Sequence, residues 1–225
     1  FEGRLREKLE REILPIYIQE RRWFGGKARN MQGVRITGSV SFGKNSHSSN
    51  LLFIEVRYTE GASEVYLLPV SFASGEMAEG LLRDNPQAVL VRIRGRDLEG
   101  VLYDSVYSSD FRNDILWMIA RRHVFRGTGG HLVAYPGRFI RQLENGKGLS
   151  VERSQVLQTE QSNTSIIYEN KLFFKLFRRL EEGINPELEI VRFLTEKVSF
   201  PNVPPFAGAI EFRKNGSEPV VIGIL

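Results

Sequence analysis

The sequence predicts an α+β chain: a helix lying on a curved antiparallel sheet, followed by a second unit of five strands with a helix of its own between two of them. Three observations predict it. Leu5, Leu9, Ile13 and Ile16 recur at helical spacing over residues 4–20. Apolar residues then alternate, with Val34, Ile36, Val40 and Phe42 on one parity and Leu52, Ile54, Val56 and Tyr58 on another. The C-terminal part is a series of short apolar runs broken by turn residues, Asn215-Gly216 being the strongest hairpin signal.

Each element has a local reason. Pro15 lacks an N–H and crowds the preceding turn, so it kinks the first helix or starts a second short one. Trp23-Phe24-Gly25-Gly26 is expected to end it, because glycine tolerates the conformation of a helix stop. Residues 43–50 and 60–63 are polar turns, a third strand covers 65–72, and 89–94 with 98–103 form a hairpin across 95–97. These make a first unit over residues 1–105. Ser108-Ser109-Asp110 then caps a helix with the apolar stripe Phe111, Ile115, Met118 and Ile119. A glycine-rich loop (Gly127, Gly129, Gly130, Gly137) and a linker around 143–148 lead to strands at 151–157, 164–168, 171–177, 209–213 and 219–225, in a second unit over 106–225.

Composition narrows the classes. The chain of 225 residues carries 31 basic and 27 acidic residues, for a net charge of +4. The pairs Arg21-Arg22, Arg121-Arg122 and Arg178-Arg179 are interleaved with acids and read as solvated helix ends or strand edges, whereas a nucleic-acid footprint needs a concentrated stripe. No cysteine is present, which excludes disulfides and thiol chemistry. No apolar run approaches the roughly 20 residues that span a bilayer. A cytoplasmic protein with neither nucleic-acid nor membrane partners is expected. Phe1 in the first position leads us to expect a piece cut from a longer polypeptide.

The chemistry-bearing residues cluster late. Lys175 stands inside the strand-like run 171–177, on the face of Phe173 and Phe177, while Leu172, Phe174 and Leu176 point the other way. Neither face is polar, so the ammonium calls for an anionic partner. A lysine snorkelling from an edge strand is the plain alternative. Asn185 as N-cap and Pro186 at the first helical position open a helix whose carboxylates are the candidate partners. Glu189 is the first choice and Glu187 the second, since Glu187 also suits the helix dipole. Upstream, Gln161, Ser162, Asn163, Thr164 and Ser165 form a small-residue loop that offers backbone N–H groups and hydroxyls to phosphate oxygens, or is simply a hairpin turn. Hairpin loop, strand with a lysine, helix with a glutamate is the order of the nucleotide-holding half of a kinase-type phosphotransferase. His47, His123 and His131 are isolated, so no metal site is expected. Gly25-Gly26-Lys27 closes a helix and is read as capping, not as a phosphate loop.

At Arg21-Arg22-Trp23-Phe24-Gly25-Gly26-Lys27-Ala28-Arg29 and Glu160-Gln161-Ser162-Asn163-Thr164-Ser165 the sequence resembles the bacterial maltokinases, including the maltokinase-like region fused to some trehalose synthases. The stretches 176–189 and 200–205 extend the likeness, which covers nearly the whole chain. The resemblance implies an enzyme that uses ATP and Mg²⁺ to phosphorylate maltose at its anomeric hydroxyl, giving maltose 1-phosphate for α-glucan synthesis. It implies a cap, then a five-stranded lobe like that of the aminoglycoside phosphotransferases with one helix bearing the glutamate, then a helical lobe. Carried over, Gln161, Ser162, Asn163, Thr164 and Ser165 match the phosphate-facing loop, Lys175 the phosphate-contacting lysine and Glu189 the helix glutamate. Nothing matches the His-x-Asp loop or the metal-binding Asp of the helical lobe, so the chain is expected to be cap plus nucleotide-holding lobe only, and inactive alone. Another small-molecule kinase of the aminoglycoside or choline type, or a non-catalytic interaction module of a carbohydrate enzyme, are the alternatives.

Overall fold

A computed structural model describes residues 3–43, 48–95, 98–147, 153–157 and 162–225. The chain begins with helix α1 (Gly3–Lys8), passes through a π turn (Leu9–Ile13) and continues as α2 (Leu14–Glu20). The wide turn precedes Pro15, where an ordinary α-helix would lose a hydrogen bond and clash. It also shifts the helical phase. Leu9, Leu14, Tyr17 and Ile18 are buried and Ile13 is partly buried, whereas Leu5 and Ile16 are 40% and 64% exposed, so the expected stripe is corrected at both of its ends. Helix α2 ends with Arg21 already extended, and Gly25-Gly26 are therefore not its stop.

Strands β1 (Met31–Phe42), β2 (Ser49–Tyr58), β3 (Glu64–Ala73), β4 (Val89–Arg94) and β5 (Glu99–Asp104) form an antiparallel sheet in the order β1-β2-β3-β5-β4, with helix α3 (Gly75–Asp84) between β3 and β4. Val34 and Ile36 pack with the N-terminal helix, but Val40 and Phe42 pack on the opposite face, although all four share a parity. A register shift between Ile36 and Gly38 makes the switch. Gly38 sits where a Cβ would lie 2.8 Å from the Thr128 carbonyl, and the next residue, Ser39, exchanges backbone hydrogen bonds with Thr128.

Helix α4 (Ser109–Ala120) follows, with Ser108 at its N-cap but making no side-chain capping bond. Among the described residues the second sheet has seven strands, two more than expected: β6 (Val124–Gly127), β7 (Gly130–Pro136), β8 (Ser154–Leu157), β9 (Asn163–Tyr168), β10 (Leu172–Phe177), β12 (Gly208–Arg213) and β13 (Val220–Ile224). The extra hairpin β6–β7 replaces the expected glycine-rich loop. At Gly130 a Cβ would press on the Phe212 ring at 2.6 Å, so this glycine permits close packing within a strand. The expected linker around 143–148 is helical as far as it is described, in α5 (Arg138–Lys147). Helix α6 (Pro186–Arg192) and a π turn (Phe193–Lys197) connect β10 to β12. Sheet order is β6-β7-β12-β13-β10-β9-β8, while β11 (Arg179–Leu180) leaves this sheet and pairs with β3 of the first.

Two cores result. One lies between the N-terminal helix and the outer face of the first sheet. The other joins the two sheets: Val40, Phe42, Leu51, Phe53 and Leu67 pack with Phe111, Ile115, Phe174, Leu176 and Phe212, and Phe53 stacks on Phe212 at 3.9 Å between ring centroids.

Candidate functional site

Strand β10 aims Leu172, Phe174 and Leu176 into the shared core and Lys175 to the other side. Its cross-strand neighbours are Ser165 of β9 and Ile224 of β13. Lys175 donates to both carboxylate oxygens of Glu187, at 2.7 and 3.0 Å, and its Nζ stands 5.5 Å from the Phe177 ring centre. The two side chains are 23% and 44% exposed. The pair borders a cavity of about 460 Å³ with Phe173, Val191, Pro204 and Leu225 in its walls.

Glu187 therefore takes the place expected first for Glu189. The helix start explains the correction. The Asn185 side chain accepts the Leu188 N–H at 3.0 Å and fixes the phase of α6, so the first turn faces β10. Two residues further round a helix turn by about 200°, and Glu189 accordingly lines a different cavity.

The expected phosphate loop is divided. Gln161 lies outside the described residues, and Ser162 is exposed. Asn163, Thr164 and Ser165 belong to β9, and Asn163 donates to the Ser162 hydroxyl at 3.3 Å. Thr164 points away from Lys175 and accepts a 2.7 Å hydrogen bond from Arg178, so its hydroxyl is committed inside the protein. Ser165 is fully buried on the Lys175 side, and its hydroxyl has no hydrogen-bond partner among the described residues.

Arg178 is the residue that sequence reasoning missed. It was expected to be solvated, yet it is 1% exposed and meets the equally buried Asp104 at 2.7 Å. It also donates to the Leu67 carbonyl and lies 5.1 Å from the Trp23 ring centre. Burial pushes the Asp104 carboxyl up, against the pull of the guanidinium beside it. The even parity of Leu172, Phe174 and Leu176 was the available signal, for it carries straight on to residue 178. A second buried arginine, Arg112, ties α4 to β8 through Ser154 (2.8 Å) and to the Val106 carbonyl (2.8 Å).

The 21–29 block docks on the first sheet. Trp23 and Phe24 lie 5.8 and 5.3 Å from the Tyr66 ring. Arg29 stacks 3.5 Å from the Tyr58 ring centre and pairs with Glu64 at 3.2 Å. Glu64 further accepts from Tyr58 (2.6 Å) and Tyr66 (2.7 Å) and meets Arg179 at 3.4 Å. Gly25-Gly26-Lys27 is thus part of a packed turn.

These features define a mixed α/β protein of two antiparallel sheets, the first forming an N-terminal cap on a second that carries a lysine–glutamate pair. Residues 17–107 match the family model of the maltokinase N-terminal cap domain, from the end of α2 to the turn after β5, and so bear out the recognition of the maltokinase family. No helix is long and apolar enough to cross a membrane among the described residues.

Proposed function

We propose that the chain is the cap and the nucleotide-holding lobe of an ATP- and Mg²⁺-dependent maltokinase, free-standing or fused to a trehalose synthase, with its cap over residues 1–105 and its lobe over 106–225. The observation that carries the reading is the Lys175–Glu187 pair, held between a central strand and the helix that follows it. Phosphoryl transfer depends on charge positioned in advance. A half-buried ammonium steadied by one carboxylate fits the oxygens of a nucleotide's phosphates. The cap match supports maltose, rather than an aminoglycoside or choline, as the acceptor class. Among the described residues no group of three or more His, Asp or Glu could hold a metal ion, so Mg²⁺ is assigned to no residue here.

The test uses the full-length parent. Lys175→Ala is expected to lower maltose phosphorylation by roughly 100-fold or more, with Glu187→Gln following and Glu189→Gln near wild type. Near-normal turnover of Lys175→Ala would overturn the reading. This chain alone, given ATP, Mg²⁺ and maltose, is expected to make no maltose 1-phosphate, and product above background would mean the active site is misplaced.

A further inference from the structure

Behind α6, on the side turned away from Lys175, lies a cavity of about 620 Å³ between the helix and the faces of β7, β12 and β13. Leu188, Phe193 and Val221 give it an apolar floor, and Phe193 is 57% exposed there. Its charges are sorted along the helix. Glu196 is occupied by the Arg138 backbone N–H (3.1 Å) and by Arg192 (3.3 Å), and Glu211 by Tyr135 (2.7 Å) and Arg213 (2.8 Å). Among the described residues, four lining side chains remain without an ion pair: Glu189 and Glu218, Arg138 and Lys197. Glu218 adjoins Pro219, whose carbonyl accepts from Gly183 just ahead of α6, so both carboxylates mark the start of the helix. Arg138, placed by its bond to Glu196, joins Lys197 at the far end. That end is also where the helix widens into a π turn, a distortion that concentrates at functional sites.

The spacing selects a ligand. Glu189 and Lys197 are eight residues apart, which at a helical rise of about 1.5 Å separates them by roughly 12 Å. An extended peptide advances about 3.3 Å per residue, so its residues four apart span about 13 Å. We propose that this cavity docks a short extended peptide segment of a partner protein, with a basic residue at the Glu189 end, an acidic residue four positions on at the Lys197 end, and an apolar side chain over Phe193. The helix that lines the cavity also carries Glu187, so an occupant that steadies α6 holds Glu187 against Lys175. The site would then regulate the nucleotide-holding pair. This regulatory part rests on the function proposed above; the docking itself does not.

The probe is a fluorescein-labelled pentapeptide with lysine first, phenylalanine central, glutamate last and both termini blocked, titrated with this chain at low salt. Saturable anisotropy is expected. The double variant Glu189→Lys with Glu218→Lys, shown folded by its thermal melt, should weaken binding about tenfold, and the peptide with glutamate in place of its lysine, acidic at both ends, should regain it. No saturation up to millimolar protein, or equal binding of both peptides to both proteins, would overturn the docking site. Dimerisation of the chain through this face in place of peptide binding would also overturn it. For the coupling, the bound peptide should slow acylation of Lys175 severalfold by mass spectrometry, and an unchanged rate would sink it. Failure of the kinase reading would show in the parent's turnover and leave peptide binding intact.

Discussion

Lys175 and Arg178 stand three positions apart on one stretch of chain, and each reaches a carboxylate at 2.7 Å, but their surroundings differ. The Arg178–Asp104 pair is 1% and 2% exposed, wedged between the two sheets. The Lys175–Glu187 pair is 23% and 44% exposed at the rim of a cavity. Strand parity separates them, since residue 175 points to the cavity side and residue 178 follows the core-facing run. The comparison teaches that contact distance does not reveal what a pair is for. A pair sealed from water is costly to break, because the survivor keeps its charge without solvent. A pair at a rim is nearly neutral in stability and can exchange its partner for another anion.

Breaking the sealed pair should have the largest effect. Arg178→Ala is expected to destabilise this chain by about 3–5 kcal/mol, lowering the melting temperature by about 10 °C, as read by denaturant titration and thermal melts. Replacing both partners by apolar residues, Arg178→Met with Asp104→Leu, should recover most of that loss. Thr164→Val removes one hydrogen bond from the same guanidinium and should cost about 2 kcal/mol in the same titration. Glu64 sharpens the comparison because it lies between the extremes. Burial pushes its carboxyl up, but the Tyr58 and Tyr66 hydroxyls and then Arg179 and Arg29 outweigh it, so the group titrates below its ordinary 4.5. A depressed carboxylate contributes stability above its unfolded value, and that contribution is lost as pH falls through the folded one. Glu64→Gln should therefore melt several degrees below wild type at neutral pH, with the gap closing as the pH falls below the ordinary 4.5 and through the depressed folded value; a gap constant with pH would contradict this assignment. The smallest effect is expected at the rim. Lys175→Met should change stability by less than about 1 kcal/mol, and a loss as large as that of Arg178→Ala would erase the contrast.

The legible parts of the fold were those where one local rule acted alone. Alternation marked β2, Asn185-Pro186 marked the start of α6, and an isolated cation in an apolar strand marked Lys175. Other parts depended on two rules in competition. Val34 to Phe42 kept one parity while the bulge at Gly38 moved half of them to the other face. Ile16 kept helical spacing while a π turn changed the phase ahead of it. Gly127 and Gly130 signalled a loop, but the partner strands needed that space for their own side chains and backbone. Glu189 was preferred because Glu187 also suits the helix dipole, and the N-cap decided otherwise. Arg178 was hidden by its type, because arginine is seldom buried and its compensating partners, Asp104 and Thr164, are distant in sequence.

The passage of the chain from β10 through Arg178 into β11 has a temporal consequence. Strand β3 uses residues 70–73 to pair with β5, but its start, at Val65 and Tyr66, pairs with β11. Arg178 donates to Leu67 across 111 positions of sequence. At synthesis rates of about 5–20 residues per second, β3 and Asp104 wait on the order of ten seconds for these partners to leave the ribosome. During that interval the nascent cap presents a short length of open β-ladder and a carboxylate still in water. Its completion is therefore set by the arrival of later sequence, and truncation before residue 178 would make the waiting state permanent.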